Sequence, residues 1–107
     1  SVVRDWGWAP EYVEAATRIL AHGTPDDFVI ATGESCSLTR FVESVFAVLG
    51  LNAADHVSRN PALLRAAEIP VMRADPRRAR ERLGWEATVR GEEVARRLVE
   101  AELHDAR

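Results

Sequence analysis

Residues 28–31, Phe28-Val29-Ile30-Ala31, form an unbroken apolar run. Four apolar residues in succession leave no side for water, so the run reads as a β-strand buried on both faces. Gly33-Glu34-Ser35 breaks it. A strand carries unpaired N–H and C=O groups along its edges and needs neighbours to satisfy them. The rest of the sequence offers mainly helices. That mismatch points to a chain built to lean on another surface.

The helices are set by apolar spacing and by their stops. Residues 10–22 place Tyr12, Ala16, Ile19 and Leu20 at three- and four-residue steps, with Pro10 in the first turn and Gly23 as a left-handed stop. Thr24-Pro25-Asp26 is a turn. Ser37 caps a second helix whose stripe is Leu38, Phe41, Val42, Val45, Phe46 and Leu49, and Gly50 ends it. Residues 51–59 read as irregular, with a short extended piece admitted around His56-Val57-Ser58. Asn60-Pro61 opens either a helix through Leu63-Leu64-Arg65 or a simple turn. Asp75-Pro76 starts a short helix that stops at Gly84, with Trp85 as an anchor packed on it. Thr88-Val89 is a candidate short strand. The last helix runs from about Glu92 to Leu103, with Val94, Leu98 and Ala101 inward and acids at its N-terminus. The expected fold is α/β and predominantly helical: about four helices, one buried-type strand and one or two short strands, in one domain over residues 1–107.

All fourteen basic residues are arginine; the chain contains no lysine. This excludes a lysine Schiff base, a phosphate-loop lysine and any Tyr-x-x-x-Lys pair. The single Cys36 excludes an internal disulfide and a multi-thiolate metal site. It adjoins a helix start, where a thiol pKa can fall, but a small filler is the plainer role. His22, His56 and His104 are too dispersed for metal ligation. The net charge of −3 implies no general affinity for nucleic acid. Residues 1–50 hold three arginines and seven acids, while 51–107 hold eleven and ten. The densest run, Arg73 to Arg82, reads as a solvated helix face; a small DNA-binding surface is the sharper alternative. No apolar run approaches the roughly 20 residues of a membrane span, so a cytoplasmic protein without membrane contact is expected.

Candidate chemistry starts at Arg4-Asp5-Trp6-Gly7-Trp8-Ala9-Pro10. An arginine and two tryptophans in a stiff extended run can deliver a fixed cation to the mouth of a cleft; an arginine stacked on core tryptophans is the plainer reading. Thr32-Gly33 between a strand and a helix could present amides to a phosphate, or be only a tight turn. Arg65 and Glu68, three residues apart, read by spacing as a surface ion pair.

From residue 4 to about 103 the chain resembles GDP-mannose 4,6-dehydratases, extended short-chain dehydrogenases/reductases of the NAD-dependent epimerase/dehydratase family. The likeness lies in Arg4 to Ala15, Asp26 to Glu34, Ser37 to Glu43, Arg65-Ala66-Ala67-Glu68-Ile69, Asp75-Pro76, Leu83-Gly84-Trp85, Glu92-Glu93 and Glu102-Leu103. Enzymes acting on UDP- or dTDP-sugars are similar around Arg4 and Thr32-Gly33. The resemblance implies the C-terminal, substrate-binding portion of an extended Rossmann-type dehydratase. It implies that Arg4 and Arg65 contact a sugar-nucleotide diphosphate and that Glu68 binds ribose hydroxyls. A guanidinium fork suits phosphate oxygens, and a carboxylate accepts from a vicinal diol.

By the same resemblance the intact enzyme is an NADP-dependent lyase converting GDP-mannose to GDP-4-keto-6-deoxymannose. The Rossmann cofactor domain and the catalytic Tyr and Lys are absent from this sequence. The chain alone is then expected to bind no cofactor and to hold no catalytic residue, with a GDP-sugar and a homo-oligomeric copy as its expected partners. Ala66 stands where the family motif has proline, Leu63-Leu64 where it has an aromatic pair, Asn60 for aspartate, Arg90-Gly91 for a serine-aromatic pair, and Trp8 for histidine or tyrosine. These departures, with the missing catalytic half, keep a second reading open: a stand-alone interaction module that self-associates through its exposed strand.

Overall fold

The computed structural model describes residues 1–106. Among them are four α-helices and one two-stranded antiparallel sheet. Strand β1, Val3–Asp5, pairs with β2, Ser35–Ser37, and sets Arg4 opposite Cys36. A third segment flanks β1: Val3 donates its amide to Pro70 O at 2.9 Å, and Val3 O accepts from Met72 N at 2.9 Å. This parallel bridge to Val71 ties β1 to residues nearly seventy positions further along the chain. The helical, strand-poor architecture is the one expected. Neither paired strand lies where the sequence placed its strands.

Residues 28–31 form no strand. Phe28 and Ile30 pack toward the core cluster and Ala31 is 5% exposed, while Val29 is 51% exposed. None of the four residues has a backbone partner among the described residues. The strand buried on both faces that the apolar run predicts is therefore not found: the segment has no ladder, and Val29 is open to solvent. Among the described residues no neighbouring strand completes the ladder. Thr88-Val89 fails as a strand for a different reason: its amides are taken by the Glu11 carboxylate. No strand forms around residues 56–58 either, where the His56 ring stacks on Phe46.

Helix α1, Ala9–Ala21, has Pro10 in its first turn and ends with the His22 amide bonded to Ile19 O. Gly23 does not adopt a left-handed conformation, contrary to expectation. The buried face of α1 centres on Ala15, with Tyr12 and Ile19 half-buried. Ala16 is exposed and Leu20 is 87% exposed, so the outer part of the expected stripe finds nothing to cover it. Helix α2, Leu38–Val48, is capped as expected: the Ser37 hydroxyl accepts from Arg40 N at 3.1 Å. Phe41, Val42, Val45 and Phe46 are half-buried, whereas Leu38 and Leu49 lie open.

Asn60-Pro61 makes a single 3-10 turn, Pro61–Leu63, in which Asn60 accepts from Ala62 N. Helix α3, Arg77–Leu83, begins under the Asp75 side chain and closes on Gly84 at φ 65, a left-handed value that glycine adopts without a Cβ clash. Helix α4, Glu92–Asp105, lies against α2 and buries Val94, Ala95 and Val99; Leu98 and Ala101 face solvent instead. Its first turn lacks a side-chain cap, since Gly91 at the cap position has no side chain to accept.

The core gathers around Trp85, 2% exposed, with Ala15, Ala79 and Ala87 and the half-buried Tyr12, Phe28, Ile30 and Leu83. Trp85 is the anchor the sequence indicated. Its indole donates to Glu11 O at 3.0 Å, and Tyr12 meets it edge-on. Gly7 lets Tyr12 reach this place, since a Cβ there would stand 2.1 Å from the Tyr12 hydroxyl. The core is thin: apart from Trp85, the buried side chains among the described residues are alanines, valines and Thr32. The radius of gyration is 16.5 Å; a compact chain of this length gives about 13 Å.

Candidate functional site

The site is built from the alternation of β1. Successive strand side chains point to opposite faces, so Val2, Arg4 and Trp6 share one side and Val3 and Asp5 the other. The first three line a hollow of about 810 Å³. The second face is structural. Asp5 accepts from Thr32 N at 3.0 Å, Thr32 Oγ1 at 2.8 Å and Gly33 N at 2.9 Å. Those amides are therefore already engaged, and the Thr32-Gly33 turn is the tight turn rather than a phosphate cradle.

Arg4 is fixed at both ends of its fork. One nitrogen donates to Val3 O at 2.9 Å and the other to Glu68 Oε1 at 2.8 Å. Arg65 reaches the second oxygen of Glu68 at 3.8 Å. The bridge at Val71 explains the meeting, because it runs residues 70–72 beside Val3 and sets Glu68 next to Arg4. The three residues singled out from sequence thus ring one hollow, joined through one carboxylate. The Arg4 side chain is 22% exposed and that of Arg65 is 77% exposed, so one cation is held within the wall and the other stands out into solvent.

The tryptophans do not stack on Arg4. Trp6 lies on Phe41 with ring centroids 4.4 Å apart and donates to Cys36 O at 3.0 Å. Arg97 covers Trp8 at 5.9 Å. The stiffness expected of this run comes from those contacts. Cys36 behaves as a filler: burial pushes its thiol pKa up, against the opposing charge of Arg40, so the lowering expected at a helix start does not occur. In the Arg73 to Arg82 run, Arg78 and Arg82 are tied to Asp26, locking α3 onto the turn before residue 28.

Other residues of the wall, among them Val2, Trp6 and Arg59, were not assigned to a binding role from sequence. Trp6 and Val2 follow from the two-residue period once β1 is known. Arg59 joins the wall of the hollow through a turn that no periodicity announces. Of the groups implied by resemblance, a dinucleotide does not fit these residues. The glycines at 7, 23, 33, 50, 84 and 91 are never two apart, and no lysine is present. Among the described residues no cluster of His, Cys, Asp and Glu could hold a metal ion, and no helix is long and apolar enough to cross a membrane.

Comparison with known proteins gives a consistent result. A sequence-family model described as GDP-mannose 4,6 dehydratase matches residues 1–98. The chain is 38% identical to GDP-mannose 4,6 dehydratase 1 of Arabidopsis thaliana over 97% of its own length and 29% of that protein's. It is 32% identical to the human GDP-mannose 4,6 dehydratase, over 94% of itself and 32% of that protein. It therefore spans about a third of these relatives. Among solved structures it resembles UDP-glucose 4-epimerase from Bifidobacterium longum in complex with NAD+ and UDP, with a TM-score of 0.83 and 17% identity, covering 99% of this chain and 31% of that one. RMD from Pseudomonas aeruginosa complexed with NADPH gives 0.78 and 18%, over 92% and 32%. At such identities the structural likeness is one of fold.

Proposed function

The chain belongs to the GDP-mannose 4,6-dehydratase family, and from that premise we propose that it is the substrate-side portion of such an enzyme, clamping the diphosphate and ribose of a GDP-sugar. The observation that carries this reading is the meeting of Arg4 and Arg65 on Glu68 at the wall of one open hollow, across more than sixty residues of sequence between Arg4 and Glu68. Two planar forks match phosphate oxygens, and a carboxylate has about four lone-pair sites, enough to hold the arginines and accept from a ribose diol. A fixed diphosphate orients the attached hexose for a reaction whose groups lie outside these residues. The intact enzyme would convert GDP-mannose to GDP-4-keto-6-deoxymannose with NADP. This chain contributes binding and positioning and is not catalytic alone.

Calorimetric titration with GDP is the test. Binding by the parent chain, with Arg4→Ala and Glu68→Ala each weakening it by about tenfold or more, supports the clamp. A well-folded chain that binds no GDP removes the reading.

One observation favours a second reading, a non-catalytic stand-alone module that self-associates. The backbone of residues 28–31 has no partner among the described residues, and Val29 beside it is exposed. A strand edge of this kind pairs readily with another chain. Mass measurement in solution separates the two: a dimer disrupted by Val29→Lys, without GDP affinity, favours the module.

A further inference from the structure

Arg59 stands just before the turn Pro61–Leu63, at the partition between two hollows. On one side is the 810 Å³ hollow of Arg4, Arg65 and Glu68; on the other is one of about 540 Å³ walled by Leu38, Val42, Leu51 and Val57. In the larger hollow, three guanidiniums face one carboxylate, an excess of two positive charges. Arg4 and Arg65 divide the charge of Glu68 between them. Arg59 makes no ion pair among the described residues, and no Asp or Glu lies within three residues of it in sequence.

The charge distribution has a chemical consequence. A guanidinium already bonded to a carboxylate must share or surrender that bond to hold a phosphate. An unpaired one binds with its full charge and gives up only water. A monophosphate is met by the paired cations Arg4 and Arg65. A second phosphate adds charge that those two, half-neutralised by Glu68, do not balance.

We propose that Arg59 is a further anion-binding residue of this hollow and that it selects a nucleoside diphosphate over a monophosphate. The inference rests on the reading of the hollow as a GDP-sugar site. The adjoining apolar wall does not take part, and its residues carry no charge of either sign except Glu43 and Arg59 itself.

The experiment is titration of the chain with GDP, GMP and inorganic pyrophosphate, in the parent and in Arg59→Gln, Arg59→Lys and Arg4→Ala. The expected result is a loss of about tenfold in affinity for GDP and pyrophosphate in Arg59→Gln, with GMP weakened less than about threefold. Arg59→Lys recovers part of the loss, because it restores charge without the fork. Arg59 is exposed, so circular dichroism of the variants should match the parent. Unchanged GDP affinity in Arg59→Gln, beside a clear loss in Arg4→Ala, overturns this inference and leaves the clamp standing. Equal losses for GDP and GMP overturn the selectivity. A folded parent that binds neither GDP nor pyrophosphate overturns both proposals.

Discussion

Glu11→Ala should be among the most damaging single-site changes available outside the aromatic core. The Glu11 carboxylate accepts from Val89 N at 2.8 Å, from Thr88 N at 2.9 and 3.1 Å, and from Thr88 Oγ1 at 2.9 Å. It thereby pins residues 88–89 to the first turn of α1, more than seventy residues away in sequence. Thr88 is exposed, so water replaces its bonds when the carboxylate is removed. Val89 is 2% exposed and its half-buried amide has no such substitute. A hydrogen bond from a sequestered amide to a charged acceptor is worth roughly 1.5–3 kcal/mol, and the exposed pair adds less than about 1 kcal/mol, so about 2–3 kcal/mol is expected in all. For a chain of this size that corresponds to a fall in Tm on the order of 10–20 °C.

The same variant carries a pH signature. Burial pushes the Glu11 pKa up, but the bonds from the Thr88 and Val89 amides, the Thr88 hydroxyl and the charge of Arg97 outweigh it, and the group lies below its ordinary value of 4.5. Between the folded and unfolded values the unfolded chain binds the extra proton, so stability rises with pH in that window. The contribution is complete above the ordinary value and is lost as pH falls through the folded one. Thermal unfolding by circular dichroism, at neutral pH and again below pH 4.5, should therefore show the gap between parent and Glu11→Ala narrowing with acid. The control is Glu14→Ala, whose exposed pair with Arg18 on the same helix is worth about 0.5 kcal/mol at most. If Glu11→Ala costs no more than that control, the latch has no energetic weight and the reasoning fails.

Three further outcomes follow from the geometry. Gly7→Ala puts a methyl 2.1 Å from the Tyr12 hydroxyl and 2.3 Å from its ring carbon; it should cost about 1–3 kcal/mol, and Tyr12→Phe should not relieve it, as read by denaturant unfolding of both variants. Asp5→Ala leaves Thr32 N half-buried without its acceptor and frees Gly33 N, so it should destabilise by about 1–3 kcal/mol and quicken hydrogen exchange at both amides. Trp85→Ala removes the centre of a thin core, and at about 3–5 kcal/mol it should leave the chain largely unfolded at 25 °C, as near-UV circular dichroism would show.

Much of the fold could be read from local chemistry. The four helices were legible because their caps and stops act within a turn: Pro10 for α1, Ser37 for α2, Asp75 and Gly84 for α3, and acids at the start of α4. Several of the failures share a cause. Leu20, Leu38 and Leu98 have the right spacing for burial, yet burial also needs a partner surface, and the chain supplies none over them. Residues 28–31 have the composition of a buried strand and, among the described residues, no second strand to meet. Conversely, Val3–Asp5 and Ser35–Ser37 carry little strand signal and pair because the turn held by Asp5 brings them together.

The candidate site divides the same way. The identities of Arg4, Arg65 and Glu68 came from sequence, through resemblance, and so did the exclusion of lysine chemistry, which depends only on which atoms are present. That Arg4 bonds Glu68 depended on the parallel bridge between Val3 and Val71, and that Arg59 lines the same hollow depended on the turn Pro61–Leu63. Composition and short-range spacing fix which groups a chain owns and where its helices begin and end. Contacts between residues sixty or more apart are set by backbone pairing and packing, which no local pattern encodes.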